Sequence, residues 1–195
     1  MARRLAPKTK RALHGIQRRL EQYYGLESAP DVTRFAKPCG DGERETLLVR
    51  ESDAAVELAL VVPADAPSAG ANDTWLQLLE GVSHFVYVVE RVRTGLPTTQ
   101  LELELQAEVD KFVLLGLEPG FDPLAARRLH THLYEGGRFL DASGTEAGER
   151  YRLANDLAAR LSSRLLGRDR RETRALLRRF YRAGQTEKIA LARAA

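Results

Sequence analysis

The chain has 195 residues, of which 44% are hydrophobic and 29% charged, and its mean hydropathy is −0.34. This composition is typical of a globular protein, and no uncharged stretch approaches the ~18 apolar residues of a membrane span. A single cysteine excludes an internal disulfide and a multi-cysteine zinc site. The basic start lacks the apolar segment of a secretory signal, so we expect a soluble, cytoplasmic protein with no transmembrane segment.

The net charge of +3 conceals an uneven distribution. Residues 1–25 carry seven basic residues and one acidic residue. Residues 31–120 carry seven basic and sixteen acidic residues, and residues 121–195 carry sixteen basic and nine acidic residues. Basic ends are typical of proteins that contact nucleic acid or an anionic surface. Only five of the thirty basic residues are lysines, however, and GC-rich coding also gives such an excess of arginine. Alternatively, the basic ends fold back onto the acidic middle of the same or a neighbouring subunit.

The first segment predicts an amphipathic helix from about Pro7 to Gly25, within the basic stretch 1–28. Its apolar side chains recur at helical spacing, at Leu13, Ile16, Leu20, Tyr23 and Tyr24. Gly25 is a typical residue at which a helix ends. The helix needs a partner for its apolar face.

The spacing of apolar residues changes from a helical to an extended pattern between residues 31 and 63, where we expect three antiparallel strands. They cover residues 32–37, 45–50 and 54–62. In the third strand Val56, Leu58, Leu60 and Val62 share one strongly apolar face. A sheet this small needs a helix across that face.

Residues 72–195 predict a mainly helical part. We expect helices over about 73–94, 99–117, 123–135, 146–166, 170–183 and 186–193. Asn72 or Asp73 can cap the first, and Thr99 with Glu102 has the capping-box spacing for the second. The sequence therefore predicts one α+β domain over 1–195: a basic helix, a three-stranded antiparallel sheet at about 31–62, and a helical bundle. Strands segregated from helices argue against a parallel nucleotide-binding sheet.

The strongest candidate for a catalytic site is the predicted helical hairpin of residues 73–118. Glu80 and His84 stand at i, i+4 on its first helix, and Glu104 and Glu108 do so on its second. Carboxylates and imidazoles on facing helices build the metal sites of helical bundles. A metal-dependent or acid–base enzyme is therefore the alternative hypothesis.

The helical wheel argues against that site. It places Glu80, His84, Tyr87 and Arg91 opposite the apolar row of their helix, so we expect them to form a solvated strip. The sequence assigns no metal ligands, no cofactor and no reaction, and it contains no Gly-rich phosphate loop and no HExxH or GxSxG pattern.

The second predicted helix of the hairpin is apolar on more than one side. It nevertheless carries four acidic residues, which are Glu102, Glu104, Glu108 and Asp110. We expect some of these carboxylates to be partly buried against arginines such as Arg127 or Arg128.

The segment 168–182 carries seven arginines in fifteen residues. Thr173, Leu176, Leu177 and Phe180 predict its buried stripe. The arginines left facing outward are Arg171, Arg174, Arg178, Arg179 and Arg182. Such a helix can bind phosphates, with Phe180 and Tyr181 available for stacking, or lie on an anionic membrane, or be a solvated face.

The leading hypothesis is a non-enzymatic interaction or regulatory protein that contacts a protein or nucleic acid through its basic terminal helices. A structural subunit that self-associates through opposite charges is a further alternative.

Overall fold

A computed structural model of the chain describes residues 4–40, 44–52, 56–64, 73–117, 122–135 and 141–194. The chain divides into two compact units, Met1–Pro97 and Thr98–Ala195, and each is described by itself. The single domain expected from the sequence stays a prediction. None of the helices among the described residues combines the length and apolar composition needed to cross a membrane.

The first unit contains two long helices and a small sheet. Its elements are α1 (Pro7–Tyr24), a one-turn 3-10 helix (Val32–Arg34), β1 (Ala36–Pro38), β2 (Thr46–Glu51), β3 (Val56–Val62) and α2 (Asp73–Arg93). Helix α1 begins with a proline in its first turn and ends at Gly25, whose φ of 65° is the left-handed conformation that favours glycine. Asn72, one of the two predicted caps of α2, lies outside the described residues.

The sheet is mixed, so the prediction of a purely antiparallel meander was wrong. Its order is β1-β3-β2, with β1 parallel and β2 antiparallel to β3. The first strand is shorter than expected because the Asp31 side chain accepts a hydrogen bond from the Thr33 backbone at 2.9 Å and starts a helical turn. Strand β3 is the central strand; its face of Val56, Leu58, Leu60 and Val62 is apolar, whereas Glu57 on the other face is exposed.

A helix covers the apolar side of the sheet, as the sequence predicts. Helix α2 packs on β3 and on α1, and Leu60 and Val62 of β3 are completely buried. The helix approaches closely at Gly81, where an added Cβ would lie 2.8 Å from the Leu60 Cδ1 atom. The α+β fold class is confirmed.

All the regular elements described in the second unit are helices. Its elements are α3 (Gln100–Phe112), continued by a π-helical turn (Val113–Leu117), α4 (Pro123–Tyr134), α5 (Glu146–Leu165), α6 (Arg170–Arg182) and α7 (Gln185–Arg193). The predicted capping box is present: the Glu102 backbone donates to the Thr99 hydroxyl, and the Glu102 carboxylate accepts from the Thr99 backbone. Helix α5 packs along α3, and α4 and α7 pack against α5.

Candidate functional site

The arginine face of α6 is exposed. Asp169 caps the helix by accepting from the backbone N–H groups of Arg171 and Glu172 at 2.7 and 2.9 Å. Of the five arginines predicted to face outward, Arg171, Arg174, Arg179 and Arg182 are exposed and Arg178 is half-buried. The opposite side of α6 contributes the completely buried Leu177.

Four of these arginines form one row along α6, which we call the arginine row: Arg171, Arg174, Arg178 and Arg182. At 100° per residue they fall within about 80° of arc, and the helical rise spreads them over about 16 Å. The neighbouring Arg179 is ion-paired with Glu187 at 2.9 Å, and Arg168 with Glu172 at 3.9 Å. The row is a linear array of four arginines on one side of α6.

The aromatic residues of α6 do not lie beside the arginine row. Phe180 is completely buried and Tyr181 is 2% exposed, so the prediction that they are available for stacking was wrong. Leu176, predicted to be buried, is only half-buried. The two rings and Leu177 form the packing face of α6. Removing an aromatic ring from water stabilises the fold, so the rings are buried and are not left exposed for a ligand.

The polar row of α2 is buried, not solvated as predicted. Glu80 is 9% exposed, Tyr87 is completely buried and Arg91 is 4% exposed, while His84 is half-buried. The Arg91 guanidinium lies over the Tyr87 ring, 5.3 Å from its centroid. Helix α2 is thus buried around most of its circumference, which its helical wheel could not reveal.

Glu104 and Glu108 stand one turn apart on α3. Glu104 is 8% exposed, and the half-buried Glu108 accepts a hydrogen bond from Lys111 Nζ at 2.7 Å. The expected burial of carboxylates on this helix is confirmed, but Arg127 and Arg128 are exposed on α4. The hypothesis that the glutamates of α3 share a metal or acid–base site with Glu80 and His84 stays a prediction.

A buried polar chain in the second unit was not predicted from the sequence. Lys188 of α7 is completely buried, and its Nζ donates to Gln106 Oε1 at 2.5 Å. Gln106 Nε2 in turn donates to Asp110 Oδ1 at 2.8 Å, and both side chains are completely buried. The Lys188 ammonium also lies 4.2 Å from the centroid of the Phe180 ring. A lone lysine in a short helix gives no sequence signal of this kind.

Tyr134 belongs to the same helical core. Its hydroxyl donates to the Glu108 carbonyl at 2.9 Å and lies 3.0 Å from Ser162 Oγ. Burial, reinforced by the Glu108 carboxylate, raises the pKa of the Tyr134 phenol, which stays protonated. The phenol is a hydrogen-bond donor in the structure of this unit.

The first unit contains a cavity of about 340 Å³ that sequence analysis also missed. It is lined by the chain that follows α1, by β3 and by the C-terminal half of α2. Arg93 lies at the cavity, where its guanidinium is hydrogen-bonded to Glu90 and ion-paired with Glu27 at 2.9 Å. The residues that line the cavity come from three separate segments, so no local sequence motif predicts it.

Comparisons with known proteins add no family. No protein-family model matches the chain, and neither the curated proteins nor the solved structures yield a significant match.

Proposed function

We propose that this protein is a non-enzymatic binder of duplex nucleic acid, which it contacts through the arginine row of α6. The observation that supports the proposal is the alignment of four arginines, three exposed and one half-buried, in a single line about 16 Å long. Each guanidinium can donate a pair of hydrogen bonds to phosphate oxygens. Contacts of this kind hold a protein on the backbone without selecting a sequence.

A duplex fits the row better than a single strand or a membrane. Proteins that bind single strands stack bases on aromatic side chains, whereas both rings of α6 are buried. Amphipathic helices that lie in a membrane insert an apolar face, whereas the apolar side of α6 is occupied in its own core. Phosphates spaced along a stiff backbone require only a row of cations.

A second basic face lies on α1 in the first unit. Lys8, Arg11 and Arg18 are exposed there, on the side of α1 opposite to its buried apolar row. This face supports binding through both of the basic terminal helices. The cytoplasmic location predicted from the sequence is compatible with a nucleic-acid partner.

Fluorescence anisotropy with a labelled mixed-sequence duplex tests the proposal. At about 50 mM salt we expect micromolar binding, which is typical of sequence-independent contacts at low ionic strength. Replacing the whole arginine row by glutamine should weaken binding at least tenfold. The matched control replaces four exposed arginines outside α6 by glutamine, namely Arg34, Arg127, Arg128 and Arg160. It removes the same charge and should weaken binding less than threefold.

Three results would contradict the proposal. They are no binding to the duplex at low salt, equal losses in the two quadruple variants, and tighter binding to single strands than to duplexes. The first would leave an acidic protein as the partner of the arginine row.

The alternative of a carboxylate and histidine enzyme has its own test. Metal analysis of the purified protein decides it: stoichiometric metal that is lost in His84→Ala supports a metal site that includes Glu80, Glu104 and Glu108. Protein that purifies without metal removes the metal-dependent form of this alternative.

A further inference from the structure

We infer that the cavity of the first unit is a binding site for an uncharged, largely apolar small molecule. This ligand site is independent of the nucleic-acid contact proposed for α6. The inference rests on the walls of the cavity, on its size and on the charges at its mouth.

The walls of the cavity are apolar on three sides. Val86 and Val89 line it from α2, Leu58 from β3, and Leu26 and Phe35 from the chain between α1 and β1. Val86 is 2% exposed, while the other four are half-buried, so their apolar atoms face the cavity and its opening. Small-molecule sites are lined in this way, with few polar groups.

The size of the cavity limits its occupant. At about 340 Å³ it lies at the lower end of the range for ligand pockets. An apolar cavity of roughly 150 Å³ takes up benzene, so this volume corresponds to a ligand on the order of a dozen carbon atoms. A bicyclic aromatic compound or a short branched chain has this size.

The charges at the mouth disfavour an anion. The Arg93 guanidinium donates to both oxygens of Glu90, at 2.8 and 3.0 Å, and its remaining nitrogen lies 2.9 Å from a Glu27 oxygen. Two carboxylates therefore surround one guanidinium, and the Glu90 hydrogen bonds raise the pKa of Arg93. An anionic ligand would have to displace Glu27 and would meet a net negative mouth.

The chain on the open side of the cavity is held in place from α1. Gln17 donates to the carbonyls of Ala29 and Pro30 at 3.2 Å each and accepts from the Val32 backbone at 2.9 Å. Glu21 accepts from the Ala29 backbone at 2.9 Å. Gln17 and Glu21 are at most 9% exposed. The wall is thus preorganised, which reduces the entropy lost when a ligand binds.

Two fluorescent probes that differ by one charged group test the inference. 1-Naphthylamine is uncharged at neutral pH, and its 5-sulfonate carries one negative charge on the same bicyclic ring system. We expect the uncharged probe to saturate with micromolar affinity and the sulfonate to bind at least tenfold more weakly. In Glu27→Gln, which removes one carboxylate from the mouth, the sulfonate should gain several-fold in affinity.

Variants that fill the cavity locate the binding site. Val89→Trp should weaken binding of the uncharged probe at least tenfold. Ala29→Phe, which changes a lining residue of another segment, should do the same if Val89→Trp does not fold. Leu48→Trp is the matched control. Leu48 is 54% exposed and is paired with Ala59, so it lies on the face of the sheet opposite to Leu58 and the cavity. The Leu48→Trp variant should bind the uncharged probe with the same affinity as the unchanged protein.

The inference is overturned if the uncharged probe does not saturate. It is equally overturned if Val89→Trp and Ala29→Phe both fold and both bind the uncharged probe as well as the unchanged protein does. A third contradicting result is a sulfonate that binds as tightly as the uncharged probe and loses its binding in Val89→Trp.

Discussion

The side chain of Lys188 is completely buried in the second unit. Its Nζ donates a hydrogen bond to the Gln106 amide oxygen and lies over the Phe180 ring. The Gln106 amide nitrogen in turn donates a hydrogen bond to the Asp110 carboxylate. Removing one member of a buried charged network leaves its partners without their hydrogen bonds, which costs more than the network itself contributes. The chain therefore depends on Lys188 for the stability of its helical unit.

Lys188→Met should lower the free energy of unfolding of this unit by about 3 kcal/mol or more. The same change at the exposed Lys37, Lys37→Met, should cost no more than about 0.5 kcal/mol. Urea unfolding followed by circular dichroism measures both. Equal stability of Lys188→Met and the unchanged protein would show that the buried chain does not hold the unit together.

Asp31 makes the stability of the first unit depend on pH. The Thr33 backbone N–H donates to its carboxylate, and this hydrogen bond, more than the nearby His14, lowers the pKa of Asp31 below its ordinary 3.8. Because the folded pKa is below the unfolded one, the carboxylate stabilises the fold above the unfolded value, and this contribution is lost as the pH falls through the folded value.

Asp31→Asn should therefore be less stable than the unchanged protein at neutral pH. The difference should shrink as the pH falls below 3.8 and vanish once Asp31 is protonated in both states. Urea midpoints measured between neutral pH and about pH 2.5 give the difference directly. A difference that grows towards acid pH would contradict the assignment.

Single residues with a local signal were predictable from the sequence. Thr99 and Glu102 form the capping box that their spacing indicates. Lys188 and the mouth of the cavity were not, because their partners are distant in sequence. A hydrogen bond between residues 82 positions apart has no local pattern.

At the scale of the elements, α2 determines the architecture of the first unit. Its apolar row was predictable from helical spacing, but the burial of Glu80 and Arg91 was not. A helical wheel ranks faces by polarity and contains no information about what covers them. The parallel pairing of β1 was missed for a similar reason, since β1 and β2 are each paired to β3 and not to one another.

Gly81 and Gly15 give a matched test of the close approach of α2 to the sheet. Gly81→Ala puts a methyl group against the buried Leu60, at a cost of about 1–3 kcal/mol, against a gain in helix propensity of about 1 kcal/mol. Gly15→Ala on α1 meets no atom within 4 Å and should stabilise by about 0.5–1 kcal/mol. Thermal unfolding should therefore give a higher Tm for Gly15→Ala and a lower one for Gly81→Ala. A higher Tm for both would contradict the close contact.

At the scale of the whole molecule, burial changes the charge that a partner meets. Glu102, Glu104 and Asp110 of the second unit are at most 8% exposed, whereas most arginines of α6 are exposed. Lys111 and Lys188 of the same unit are buried as well, so burial leaves the surface only slightly more basic than the sequence composition. The exposed arginines of α6 attract a polyanion over long range. The helical order, the basic ends and the burial of carboxylates on α3 were predictable from the sequence, but the burial of Lys111 and Lys188 was not.

The salt dependence of duplex binding tests the proposed function most directly. If the four arginines of the row each displace a counterion from a phosphate, the logarithm of the association constant should fall against the logarithm of salt concentration with a slope of about −3.6. Binding would then weaken about 100-fold between roughly 50 and 200 mM salt. Replacing the row by glutamine should make the slope shallower by about 3.6, so that only the contribution of the basic face on α1 remains. A flat dependence in the unchanged protein, or an equally steep one in the variant, would contradict a phosphate-binding role for α6.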